Sequence, residues 1–328
     1  MSLARNEIRN RVESYVLNAN DGVTARTGGN IELHATEDAT IDAFSVAASL
    51  AVGVGGTFGG GISGAGAEAT NVIVNGVNAY VQDSRVAGGA DVILDASDDS
   101  SITATIVAAS AGVGAGGTGG VGASIGAAVA HNFVGFNADG TDALSEVKAY
   151  IQDSSVSTPG QLKQSAKSTQ KIDAIVIAGS AAIGAGGTAG LAASGAGVYA
   201  ENLIGVNVKS YIDGDGDSGI QAGDVLITAD DSAAISAIAG AASLAAALGG
   251  TVGASVSVGI ALADNEIGNV VEAYIINADG GSTVPTGAAQ GVTSRTGDIM
   301  VEATSQGQAL PSFTLGPDLS IDDLNDAA

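Results

Sequence analysis

The chain of 328 residues carries 35 acidic against 11 basic residues, a formal charge of −24, and 50 Gly with no Cys and no Trp. So acidic a surface excludes nonspecific nucleic-acid binding driven by phosphate neutralisation, and the lack of cysteine excludes a disulfide framework. Apolar residues make up 45% of the chain but aromatic residues only 3%, so many small side chains, rather than a few large ones, must fill the core in closely spaced layers.

Taken in chain order, the sequence repeats itself. The N-terminal Met1-Ser2-Leu3-Ala4-Arg5-Asn6 lacks an apolar signal core, and the pattern is running by Asn6, which reads as a fragment of a longer array. Tyr15, Tyr80, Tyr150, Tyr211 and Tyr274 recur with Asn6, Asn71, Asn132, Asn202 and Asn265, while Gly-Gly-Thr returns at Thr57, Thr118, Thr188 and Thr251. These landmarks divide the chain into repeats 6–70, 71–131, 132–201 and 202–264, a partial fifth at 265–304, and a linker or tail at 305–328.

Every unit opens with an alternating Tyr segment that ends in an Asp/Ser/Gly turn. A short strand of period two follows, as in Val92, Leu94 and Ala96 or Val225, Ile227 and Ala229. After a polar turn (Glu37-Asp38, Asp98-Asp99, Asp231-Ser232), read as a charged face, comes a stretch without Asp, Glu, Lys or Arg at 43–67, 100–138, 174–200 and 232–263. More than about 18 such residues satisfies the length of a transmembrane helix. Gly density, weakly inserting composition and acidic flanks without Lys/Arg bias argue against one, so no membrane span is expected. Residues 236–248 allow a helical hairpin, but the alternation of Ile102, Ala104, Ile106 and Ala108 with Thr103, Thr105, Val107 and Ala109 favours strands covered on both sides.

The expected fold is all-β, a parallel β-solenoid (β-helix) of tandem repeats of about 65 residues with Gly/Ala-rich packed sheets. A unit of that length supplies either three ordinary coils or one very wide coil. Stacking on neighbouring repeats of the same chain would ladder Asn on Asn and Tyr on Tyr. Insertions near 137–142 and 282–290 mark surface loops, and Pro311 and Pro317 mark the loss of the period.

One local motif suggests chemistry. Asp213, Asp215, Asp217 and Asp224 stand at positions 1, 3, 5 and 12 of an Asp/Gly loop, and with the backbone carbonyl of Gly219 they form an oxygen set suited to Ca²⁺. The loop is similar to the calcium loops of EF-hand and dockerin proteins, with Asp in place of Glu at the last position and no flanking helices. The segment 137–142 reads as a plain turn. His34 and His131 stand at non-equivalent positions without a nucleophile motif, no Cys or paired His offers zinc ligands, and the Gly-rich stretches lack the context of a phosphate loop. No catalytic residues are assigned.

The phrases Gly29-Asn30-Ile31-Glu32-Leu33-His34-Ala35, Gly223-Asp224-Val225-Leu226-Ile227-Thr228-Ala229 and Gly297-Asp298-Ile299-Met300-Val301-Glu302-Ala303 resemble the Gly-Asp strands of filamentous-haemagglutinin-like bacterial exoproteins. The resemblance implies a right-handed β-helix in a large secreted or surface-anchored adhesin, with attachment to a host or matrix glycan or protein receptor. The expected function is therefore structural and adhesive, extracellular at the bacterial surface, with calcium as a rigidifying ion. The alternatives are a glycan-active β-helix lyase or hydrolase, which needs clustered carboxylates beside a base and finds only Lys163, Lys167 and Lys171 together, and an ice-binding protein, for which Thr-x-Thr appears only at Thr103 and Thr105.

Overall fold

A computed structural model of the chain describes residues 1–143, 145–278, 291–309 and 313–315. The insertion at 282–290 and most of the tail lie outside them. Every regular element among the described residues is a β-strand. The first coil holds β1 (Ser2–Leu17), β2 (Val23–Thr24) and β3 (Ile31–Gly55), and the second β4 (Phe58–Gln82), β5 (Arg85–Ala87) and β6 (Val92–Gly116). The third consists of β7 (Gly119–Val134), β8 (Ser145–Gln152), β9 (Ser155–Ser157) and β10 (Gln161–Gly186); the fourth of β11 (Ala189–Ile204), β12 (Val206–Asp213), β13 (Ile220–Ala222) and β14 (Asp224–Gly249). The fifth contains β15 (Val252–Ile267), β16 (Val270–Ile276), β17 (Val292–Ser294), β18 (Ile299–Ala309) and β19 (Phe313–Leu315).

One repeat is thus one wide coil. The strands form three parallel sheets: a front sheet of β1, β4, β7 with β8, β11 with β12, and β15 with β16; a short side sheet of β2, β5, β9, β13 and β17; and a back sheet of β3, β6, β10, β14 and β18, with β19 also on β14. Residues 236–248, which allowed a helical hairpin, lie in β14 and pair with β10 without a break from Gln161↔Asp224 to Gly186↔Gly249. Pairing runs past 304 as well, since Ser305 to Ala309 continue β18 beside β14 and Phe313 pairs with Ile238.

Front and back sheets face each other, and the side chains between them set their separation. At the side-sheet end the core is large: Leu94, Leu162 and Ile227 from the back, Val81, Ile151 and Ile212 from the front, all fully buried. Burying each such residue stabilises the fold by roughly 1.5–3 kcal/mol. Towards the Gly-Gly-Thr turns the core shrinks to Ala, Ser and finally Gly. A Cβ on Gly114 would lie 1.9 Å from the Val121 carbonyl oxygen, and one on Gly184 1.8 Å from that of Leu191. Only hydrogen fits there, because two backbones touch. The resulting shape is a wedge: a wide base, and a thin blade whose edge is the row Thr57, Thr118, Thr188, Thr251.

Backbone groups at that edge are satisfied by the neighbouring coil. Thr118 N–H donates to the Thr57 carbonyl at 2.8 Å, and the step repeats at 2.9 Å from Thr188 to Thr118 and from Thr251 to Thr188. Inside the blade, Ser49–Ser63, Ser110–Ser124, Ser180–Ser194 and Ser243–Ser257 join the two sheets by hydroxyl pairs 2.6–2.9 Å long, so each buried hydroxyl finds a partner across the thin core. No helix among the described residues is long and apolar enough to cross a membrane.

Candidate functional site

The corner between front and side sheets needs a sharp turn in every coil. Asn18, Asp83, Asp153, Gly214 and Asn277 take it in a left-handed conformation, with φ of 55°, 46°, 45°, 82° and 53°. Asn, Asp and Gly are the residues that tolerate this conformation best, which explains the recurring Asp and Asn after each Tyr segment. Ser84 Oγ then accepts from Ala19 N–H at 2.9 Å and donates to the Gln82 carbonyl at 2.7 Å, and Ser154 does the same between Ser84 and Gln152 one coil later. Local turn chemistry therefore stacks carboxylates along one edge. Burial lifts the Asp153 carboxyl above its usual range, and the negative charges of Asp83 and Asp213 add to that shift.

The Asp-rich loop follows this corner in the fourth coil, and each of its oxygen donors is drawn to a different neighbour. Asp213 Oδ1 accepts from Asn277 Nδ2 at 2.7 Å. Asp215 is buried, and its Oδ2 accepts from Gly291 N–H at 2.5 Å. Asp217 projects into solvent, with its nearest cation the Arg85 guanidinium at 3.9 Å. The Gly219 carbonyl accepts from Val156 N–H at 3.3 Å. Asp224 sits on the far side of the short side sheet, where Oδ1 accepts from Asp298 N–H at 3.1 Å and Oδ2 from Gln161 Nε2 at 3.3 Å. Among the described residues, no three acidic, His or Cys side chains converge as a metal-ligand set.

A second polar cluster lies inside the molecule. Glu37, Asp98, Ser168, Asp231 and Ser305 stack in register, and they point between the sheets. Asp98 and Asp231 are each 3% exposed, so the recurring acidic pairs are not simply a charged face: the first member points in and only the second points out. Asp98 accepts from Asn75 Nδ2 at 3.4 Å, Ser100 Oγ at 2.6 Å and Gln170 Nε2 at 3.0 Å. Asp231 Oδ2 accepts from Asn269 Nδ2 at 2.9 Å and Ser305 Oγ at 3.2 Å. Desolvation pushes both carboxyls above their ordinary range despite these donors. Asp231 Oδ1 and Gln170 Oε1 have no hydrogen-bond partner among the described residues. Alternation alone carried the signal: Asp98 stands an even number of residues from Leu94 and Ile102, on their face of the strand.

Two ladders run along the axis. Asn6, Asn71, Asn132, Asn202 and Asn265 pass side-chain hydrogen bonds of 2.8 Å from coil to coil. The five Tyr rings stack at 4.9–5.1 Å with interplanar angles of 2–11°. Because the rings face one another, they present edges rather than flat platforms to solvent. Burial, with the neighbouring Tyr80 adding to it, raises the Tyr150 hydroxyl to about 12. His131 Nδ1 lies 2.8 Å from Glu201 Oε2, and His34 sits on the outer surface beside Glu32 and Asp95. The two histidines are far apart along the strands and share no partner. The parts that repeat are thus ladders and turns, and the part that varies is the acidic corner. Comparison of the chain with family models, with curated proteins and with solved structures finds no match.

Proposed function

We propose that this chain is a structural and adhesive repeat region of a large secreted or surface-anchored bacterial protein. One observation carries the reading: identical side chains remain in register through every coil, as Asn, Tyr, Ser and Thr columns. A stack of this kind transmits load along its axis through many parallel backbone hydrogen bonds, and its stability is a sum of coil and interface contributions. The resemblance of the Gly-Asp strands to filamentous-haemagglutinin-like exoproteins supports the same role, with an extracellular glycan or protein as receptor.

Calcium belongs to this proposal as a rigidifying ion at the acidic corner, with Asp213, Asp215, Asp217 and the Gly219 carbonyl as its ligands; Asp224, held by Asp298 and Gln161 beyond the side sheet, stands outside that corner. The repulsion that Asp153 feels from Asp83 and Asp213 is what a divalent cation would relieve. Weak extracellular sites work at roughly 10⁻⁴–10⁻³ M, so millimolar Ca²⁺ is expected to raise Tm and chelation to lower it. An unchanged Tm removes calcium from the proposal. The structural reading is tested by incubating the pure chain with acidic polysaccharides and following chain length and new reducing or unsaturated ends. Intact polymer is expected; turnover would replace the scaffold by a glycan-active enzyme.

A further inference from the structure

Each strand of the blade has an inner face chiefly of Ala, Ser and Gly, with Ile106 and Val176 at its base, and an outer face that carries no charge. On the back sheet the uncharged outer face spans positions 44–55, 105–116, 175–186 and 238–249 of the four coils. Large apolar side chains stand in water there: Phe44 is 73% exposed, Leu50 71% and Val54 78%, and Leu244 and Leu248 are each 66% exposed. Soluble chains rarely leave so much contiguous apolar surface unpartnered.

The relief of this face is set by the second and third coils, since Gly240 and Ala246 take the ridge positions in the fourth. Val46, Val107 and Ile177 are stacked in one ridge along the solenoid axis, and Val52, Val113 and Ile183 in a second. Between them Ala109, Ala111, Gly179 and Ala181 line a trough, which Leu50 closes in the first coil and Leu244 in the fourth. Outward positions on a strand alternate with inward ones, so both ridges and the trough belong to one surface. We propose that this surface docks a second copy of the chain, ridge into trough, about a two-fold axis parallel to the solenoid axis.

Three features favour that occupant. A two-fold along the axis places Val113 and Ile183 of each copy over the other's Ala and Gly trough, so the contact of the two middle coils is self-complementary, as a closed dimer requires, with Leu50 and Leu244 adding apolar contact at its two ends. Its size is adequate: about 11 positions at ~3.3 Å by four coils at ~4.8 Å is about 700 Å² of sheet per copy, close to the roughly 800 Å² per partner of stable interfaces. Charge is the third. The outward acids Glu32, Asp38, Asp42, Asp99, Asp173 and Asp230 all lie at the base of the back sheet, and in this arrangement the two bases point in opposite directions. The chain's −24 charge therefore does not oppose the contact locally. Every added coil would extend the interface by about 170 Å², so longer arrays would pair more tightly. This inference stands apart from the proposed adhesive role, since it concerns only which surface covers the blade.

Sedimentation of the full chain across a concentration series tests it, together with the charged-trough variants Ala109→Glu and Ala181→Glu and the front-sheet controls Ala123→Glu and Ala193→Glu. All four side chains point outward, so circular dichroism and Tm are expected to stay unchanged. The wild type and controls are expected to form dimers, and the trough variants to weaken them at least tenfold. A wild-type monomer up to 100 μM contradicts the proposal, as does a dimer that the trough variants leave intact or the controls abolish. A monomer that floats with neutral phosphatidylcholine vesicles, and loses that binding in the trough variants, assigns the face to lipid and overturns the second copy.

Discussion

The base and the blade of the wedge share the front and back sheets but are stabilised by opposite means. In the base, Ile, Leu and Val hold the sheets apart and contribute apolar area; in the blade, glycine lets two backbones touch, so stability comes from close packing and lateral hydrogen bonds. The base is an ordinary core of large side chains, whereas the blade has no space for a Cβ at its inward glycines. A repeat whose apolar residues are chiefly small is the natural consequence, because half of each coil has no room for anything else.

The sharpest way to break this contrast is Gly184→Val. Its Cβ would fall 1.8 Å from the Leu191 carbonyl oxygen, a backbone atom that cannot step aside, so a loss of at least about 3 kcal/mol is expected as a fall in thermal midpoint. Gly197→Val, with nothing within 4 Å of the new Cβ, is expected to leave the midpoint within a degree or two. Next comes Tyr150→Ala, which removes two stacked neighbours and a half-buried ring. Chemical denaturation is expected to register a loss of about 2–4 kcal/mol.

A gain is expected in the base. Gln164 is 0% exposed and stands in the column of Leu94 and Ile227, with Oε1 lacking a partner among the described residues. Gln164→Leu removes that orphan and adds apolar burial, which denaturation is expected to show as about 1–3 kcal/mol of added stability. The smallest effect is the most specific. Burial raises the Asp98 carboxyl above its ordinary 3.8, so its protonation stabilises the fold as pH falls from neutrality towards 3.8, and the contribution is lost as pH rises through the folded value. Asp98→Asn is therefore expected to raise Tm by about 2 °C at pH 7 and to give no advantage near pH 4. A gain that is independent of pH would mean that Asp98 is not the titrating group.

Much of this architecture was legible in the sequence. The landmark Asn, Tyr and Gly-Gly-Thr residues are the columns of the stack, and the all-β parallel solenoid follows from period-two strands between them. What sequence left open was the width of the coil, because a strand of 25 residues, such as β3 or β6, is far longer than usual and only pairing over its whole length makes it one strand. Acidic pairs read as surface because charge is normally exposed, although the strand's alternation puts Asp98 on the inward face with Leu94 and Ile102. The outward apolar rows were hidden for the converse reason, since uncharged stretches suggest burial on both faces. The Asp-rich loop was conspicuous as a pattern, yet spacing along the chain fixes no side-chain direction: in the fold Asp213 and Asp215 turn to the fifth coil, Asp217 to Arg85 of the second, and Asp224 to partners in the third and fifth.

One repeat makes one coil, and a distance measured along the solenoid axis tests this directly. Spin labels at Thr57→Cys and Thr251→Cys, both exposed at the blade edge, are separated by three coils if each unit turns once. At about 4.8 Å per step their backbones lie roughly 14 Å apart, against about 43 Å if each unit made three coils. A dipolar distance in the range of about 15–25 Å, once label length is included, is the predicted result; one beyond about 40 Å would contradict the account.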